Sequence, residues 1–104
     1  MPKSPKREKF TKVVDERYSI SPKRGGGLVR VEAWEDKPGE IVKYNIAYIN
    51  HAVYQSDNGH VFGYDNAHNY HHRHDHGYIY PVDDFSSYEA IIERFESELK
   101  EFLP

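Results

Sequence analysis

The sequence predicts an α+β domain: an antiparallel meander of four to five β-strands packed against one C-terminal α-helix, with a flexible basic arm at the N-terminus. Three observations carry this. Residues 28–35 and 40–50 alternate in side-chain character with the period of two that a half-buried strand requires. The C-terminal segment instead places Tyr88, Ile91, Ile92, Phe95, Leu99, Phe102 and Leu103 at helical spacing, with Glu93, Glu96, Lys100 and Glu101 outside the stripe. And 104 residues make a single domain, so one apolar sheet face and one apolar helix stripe must cover each other in two layers. The expected division is an arm over 1–24, a glycine joint at Gly25-Gly26-Gly27, and one domain over 28–104.

The arm holds eight Lys/Arg against three acids, whereas the other 80 residues hold six against fourteen. Such an arm attracts polyanions, or the acidic body behind it. Ser4-Pro5-Lys6-Arg7 recurs as Ser21-Pro22-Lys23-Arg24. Each copy reads as a turn, because Ser-Pro starts turns and proline fixes φ. It resembles the Ser-Pro-basic-basic motif of DNA-binding tails, which makes Lys6, Arg7, Lys23 and Arg24 candidate phosphate contacts.

Each body element has a local cause. A further strand is expected within Val13–Ile20. In Leu28–Glu35, Val29, Val31 and Ala33 share one face, while Arg30, Glu32 and Trp34 share the other. Asp36-Lys37-Pro38-Gly39 is turn chemistry. In Glu40–Asn50, Val42, Tyr44, Ile46 and Tyr48 align on one face, a set that suits a packed pleated surface. Asn58-Gly59 predicts a two-residue type I′ hairpin, which would set Asp57 opposite His60, Gln55 opposite Phe62, Val53 opposite Tyr64 and Tyr54 beside Gly63. Tyr78–Val82 is a last short strand. Ser86 with Glu89 three residues on predicts the capping box of the helix.

Composition excludes several classes. No stretch approaches the ~20 apolar residues of a spanning helix, so no membrane partner is expected. With no cysteine there is neither a disulfide frame nor a thiolate metal site. Met1–Lys12 is basic and no apolar signal segment follows, so a cytoplasmic location is expected.

All seven histidines lie between His51 and His76. The densest run, Tyr64 to Tyr78, is rich in turn formers and reads as a loop held between strands, a common place for chemistry. One reading is a metal site: His72, His74 and His76 alternate, so an extended backbone would project all three to one side, with His68 or Asp65 completing a zinc set. A second is acid–base chemistry on RNA. Imidazole both accepts and donates a proton near neutral pH, so His71, His72 and His74 are candidate acids and bases. Arg73 would bind phosphate as a planar fork, and Tyr70, with Tyr64 and Tyr78, would stack on exposed bases. Asp65 and Asn66 would anchor the loop through side-chain to backbone hydrogen bonds. A third is a polar surface loop whose imidazoles pair with Asp65, Asp75 and backbone groups.

The same segment resembles the TumE family, toxins of small toxin–antitoxin operons. The likeness rests on Tyr64-Asp65-Asn66-Ala67, on His71-His72-Arg73-His74 with arginine in place of lysine, and on Lys43-Tyr44-Asn45-Ile46-Ala47-Tyr48 upstream. His68 stands where the family usually has proline. The resemblance implies a toxin neutralised by a cognate antitoxin, with a nucleic-acid target. The leading expectation is therefore a toxin acting on RNA through the histidine segment without a cofactor. The alternatives are a non-enzymatic module binding nucleic acid or protein through its arm, and a metal-dependent hydrolase.

Overall fold

A computed structural model describes residues 10–104. Its sheet has six antiparallel strands in sequence order: β1 (Thr11–Ser19), β2 (Leu28–Lys37), β3 (Glu40–Ile49), β4 (His60–Asp65), β5 (His72–Asp75) and β6 (Tyr78–Pro81). One helix, α1 (Tyr88–Phe102), closes the chain against β3 and β4. The expected α+β meander with a C-terminal helix is thus the observed fold, with more strands than expected.

Thr11–Ser19 is the strand expected within Val13–Ile20; it starts two residues earlier and pairs with β2 along its length, so this part of the segment expected as an arm belongs to the sheet. The first Ser-Pro-Lys-Arg copy, with Lys6 and Arg7, lies outside the described residues. The second forms the expected turn: Pro22–Arg24 is a single 3-10 turn, closed by Arg24 N donating to the Ser21 carbonyl at 2.9 Å. One strand falls in a segment expected to be irregular: His72–Asp75, which bonds to β4 on one side and β6 on the other.

The two faces of the sheet differ as the alternation requires. Val29, Val31, Ala33, Tyr44, Ile46, Tyr48, Phe62 and Tyr64 point toward α1 and are buried with Ile91 and Phe95. Each of these burials is worth about 1.5–3 kcal/mol for the larger side chains. The helix N-cap is Ser87, not Ser86: its hydroxyl accepts from Ala90 N at 3.1 Å, one residue later than expected. The far face, which no helix covers, is called the open face below.

The β3–β4 connection also departs from expectation. Asn58 and Gly59 take positive φ (53° and 79°), as an Asn-Gly turn would. The strands do not continue from it, however. Ile49 pairs with His60, Tyr48 with Phe62 and Ala47 with Gly63, so residues 50–59 form an excursion closed by Asn50 N donating to the Gly59 carbonyl at 2.8 Å. Asn50 competes successfully with a tight hairpin because its side chain is consumed locally, donating to Tyr48 Oη at 2.9 Å and to the Gly25 carbonyl at 3.1 Å. The register skips a residue between Tyr48 and Ile49, a β-bulge that changes which face the next side chain meets.

Candidate active site on the open face of the sheet

The register assembles the site. Asp65 lies directly across from His72, and Gly63 across from His74, so the three polar side chains share the open face. Asp65 bridges both imidazoles: His72 Nε2 meets Oδ1 at 2.6 Å and His74 Nε2 meets Oδ2 at 2.9 Å. Oδ1 also accepts from Ala67 N at 3.0 Å, which turns the chain out of β4. Asn66 extends β4 with its side chain, accepting from Tyr44 N at 3.0 Å and donating to the Val42 carbonyl at 2.8 Å. Asp65 and Asn66 are therefore placed where anchoring residues would be.

The two histidines are held differently. His72 is 3% exposed, covered by Tyr70 with ring centroids 4.7 Å apart. Its Nδ1 lies 3.1 Å from the Tyr70 carbonyl, so Nδ1 carries the proton. His74 is a quarter exposed. If its Nε2 donates to Asp65, its Nδ1 is left with a free lone pair.

Beside His74 is a cavity of about 190 Å³, lined by Asn45, Ala47, Asp57, His60, Gly63 and Asp65. Gly63 and Ala47 supply its floor, because neither fills the space above the sheet. His60 reaches it because the bulge sets His60 opposite Ile49. Its Nδ1 donates to the Asp57 carbonyl at 2.8 Å, leaving Nε2 free. Two imidazoles thus line one concavity, each oriented through its other nitrogen. Sequence reasoning missed His60, Asp57 and Asn45. The bulge that brings them in has no local sequence mark, and the Asn-Gly signal pointed to another register.

The remaining expected site residues lie elsewhere. Arg73 points toward α1, where it pairs with Glu98, with Asp75 at 2.9 Å and with Tyr64 Oη at 3.3 Å. Burial opposes its charge, but these partners raise its pKa beyond the ordinary arginine range. It is a clamp between sheet and helix, not a free phosphate fork. His71 stacks on Phe85 at 3.5 Å, and burial, then neighbouring His72, lowers its pKa. Tyr44 is buried, which raises its pKa, and its hydroxyl hydrogen-bonds with His71 Nδ1 at 2.9 Å. His76 sits in the β5–β6 turn at φ 47° and pairs with Asp75 at 2.6 Å, so the three alternating imidazoles do not share one side. The metal-capable group is Asp65, His72 and His74, whose ligand atoms lie within 4.8 Å of one another. Tyr70 is half exposed above His72, while Lys23 and Arg24 are exposed in their turn.

Around the site the open face carries an aromatic ring and both signs of charge: Lys12 pairs with Glu32 at 2.6 Å and with Asp15 at 3.3 Å, and Arg30 lies 3.5 Å from Glu32. Lys12 and Lys43 flank Trp34, their ammonium groups 5.3 and 4.6 Å from its ring, and Arg30 lies across from Ala47. A family model for toxin TumE matches residues 6–103. The chain belongs to the TumE toxin family. No curated protein and no solved structure gives a significant match. A TumE toxin implies an antitoxin as its partner in general terms. Among the described residues no helix is long and apolar enough to cross a membrane.

Proposed function

We propose that this TumE chain is the toxin of a toxin–antitoxin pair and cleaves RNA by metal-free acid–base chemistry in the open-face cavity. The observation that carries this is the pairing of His60 and His74 on one concavity of about 190 Å³, each with one nitrogen fixed and the other free. Such a pair fits transesterification. His74 Nδ1 takes the 2′-hydroxyl proton, and the 2′-oxygen attacks phosphorus. Protonated His60 gives its Nε2 proton to the departing 5′-oxygen, leaving a 2′,3′-cyclic phosphate. Asp65 stabilises the imidazolium that His74 becomes, so His74 is the base of the two. The Asn45 amide borders the same space. Trp34 between two lysines offers the stacking surface and cations that a single strand needs.

This reading differs from a loop carrying His71, His72, His74 and Arg73 together, because Arg73 and His71 face the helix. His60→Asn and His74→Asn should each slow cleavage of a single-stranded RNA by roughly 10²–10⁴-fold, the usual worth of a positioned acid or base. His71→Asn should leave the rate near wild type. In growth assays on induced expression, the first two should relieve toxicity. A folded His60→Asn/His74→Asn double variant that is still toxic and still cleaves RNA would refute the proposal.

A further inference from the structure

We infer that Asp65, His72 and His74 form a binding site for one divalent metal ion of the zinc class, and that occupancy shuts off the chemistry proposed above. The donor set is two imidazole nitrogens and one carboxylate, three protein ligands that leave a tetrahedral ion one position to fill, and Asp65 and His74 border the cavity. That composition suits zinc and its neighbours in the transition series. The ligand atoms lie within 4.8 Å of one another. Zinc bonds of ~2.0–2.2 Å need only small movements to close on them.

Two features separate this group from a chance meeting of histidines. First, the ligands are held from behind. The His72 ring is fixed by its Nδ1 proton on the Tyr70 carbonyl at 3.1 Å, which aims Nε2 at Asp65, and Asp65 is held by Ala67 N at 3.0 Å. A histidine whose far nitrogen donates to a backbone carbonyl is oriented as metal-binding histidines are. Second, the Asp65 carboxylate already faces both imidazoles, with His72 Nε2 at 2.6 Å and His74 Nε2 at 2.9 Å, and His72 is 3% exposed, so the three donors converge out of bulk solvent. A hard cation such as magnesium gains little from two imidazoles.

The consequence for activity rests on the proposed function. With its Nε2 on a metal, His74 keeps its proton on Nδ1 and no longer serves as a base. The residues that orient the base in the metal-free protein are then the residues that disable it.

The full-length chain, purified without a histidine tag and stripped with chelator, is titrated with Zn²⁺ alone against a chromophoric competitor. Its thermal unfolding is followed in parallel. One tight zinc per chain is expected, with a rise in Tm because the ion binds the folded form. Asp65→Asn and His74→Asn should each weaken that site by at least roughly the 10–100-fold that loss of even an outer partner costs. His71→Asn and His76→Asn, altering equally dense neighbours, should not. Mg²⁺ should neither bind tightly nor shift Tm. Binding that survives in Asp65→Asn and His74→Asn, or that falls equally in His71→Asn and His76→Asn, marks adventitious chelation and overturns the site. His74→Asn and Asp65→Asn are not deeply buried changes, so the result does not depend on the fold surviving loss of His72. For regulation, stoichiometric Zn²⁺ should suppress RNA cleavage by the wild type and chelator should restore it. Activation by Zn²⁺ would overturn the inhibitory role. If the protein cleaves no RNA at all, the proposed function fails while the binding measurements still decide the site.

Discussion

At Gly63 a single missing side chain makes room for the candidate site. Its φ is not in the left-handed region, so conformational freedom is not the reason for glycine here. A Cβ at this position would collide with the Ile46 carbonyl oxygen and come within 2.9 Å of Ala47 Cα. Both are backbone atoms of β3 and cannot swing away. Gly63→Ala should therefore destabilise by about 1–3 kcal/mol, the usual cost of forcing an extra methyl into packed structure. A urea titration checks this; an unchanged midpoint would mean that β3 and β4 part there at no cost. Gly63 also lies across from His74, so the same substitution should reduce cleavage beyond any loss of folded protein. Residue by residue, the histidine segment was legible as a concentration of chemistry, and the period of two correctly set His72 and His74 together. What could not be read was where the strand stopped. His76 alternates with them in sequence but falls in a turn at positive φ, and Arg73, between them, necessarily takes the other face.

At the scale of elements, local signals gave the right elements and misplaced their joints. The helix stripe predicted α1, and Ile91 and Phe95 are its buried contacts. Its cap lies one residue beyond the predicted capping box, because Ser86 and Ser87 are adjacent and only Ser86 has an acid three positions on. The observed cap is the serine whose hydroxyl reaches Ala90 N. Ser87→Ala should then cost about 1 kcal/mol, the ordinary worth of an N-cap, whereas Ser86→Ala should be nearly silent. Thermal unfolding of the two variants checks this, and a larger loss for Ser86→Ala would restore the predicted capping box. The Asn-Gly turn shows the same pattern. Its positive φ values were legible from residue type, but the register was not, because Asn50 offers the chain a side-chain-bonded exit from β3 eight residues before Asn58. Strand β1 was legible within Val13–Ile20 in spite of its charged composition. Lys12, Asp15, Glu16 and Arg17 read as a solvated arm, yet charges are what an edge strand carries to avoid pairing with strangers.

Across the whole molecule, the sheet sets part of the acidic charge apart from the candidate site. A body with fourteen acids against six bases looks hostile to a polyanion. The fold places Glu89, Glu93, Glu96, Glu98 and Glu101 on α1, on one side of the sheet. Lys12, Arg30 and Lys43 lie on the other side, with the candidate site, where Glu32 pairs with Lys12 and Arg30 and, among the described residues, Lys43 has no ion-pair partner. Screening at physiological salt cuts off fields beyond ~8 Å, so a nucleic acid on the open face senses the nearby lysines more than the carboxylates behind the sheet. If RNA tracks this face, Lys12→Gln and Lys43→Gln should each weaken binding of a single strand. Each should also reduce the slope of log affinity against log salt by about 0.7, one phosphate contact apiece. Glu93→Gln on the helix, behind the sheet, should change neither. Fluorescence anisotropy with a labelled oligonucleotide at several salt concentrations makes the comparison. A slope that is insensitive to both lysines but falls on removal of residues 1–9 would transfer nucleic-acid binding from the sheet to the N-terminal segment. The open-face cavity would then be left without a surface to deliver its substrate.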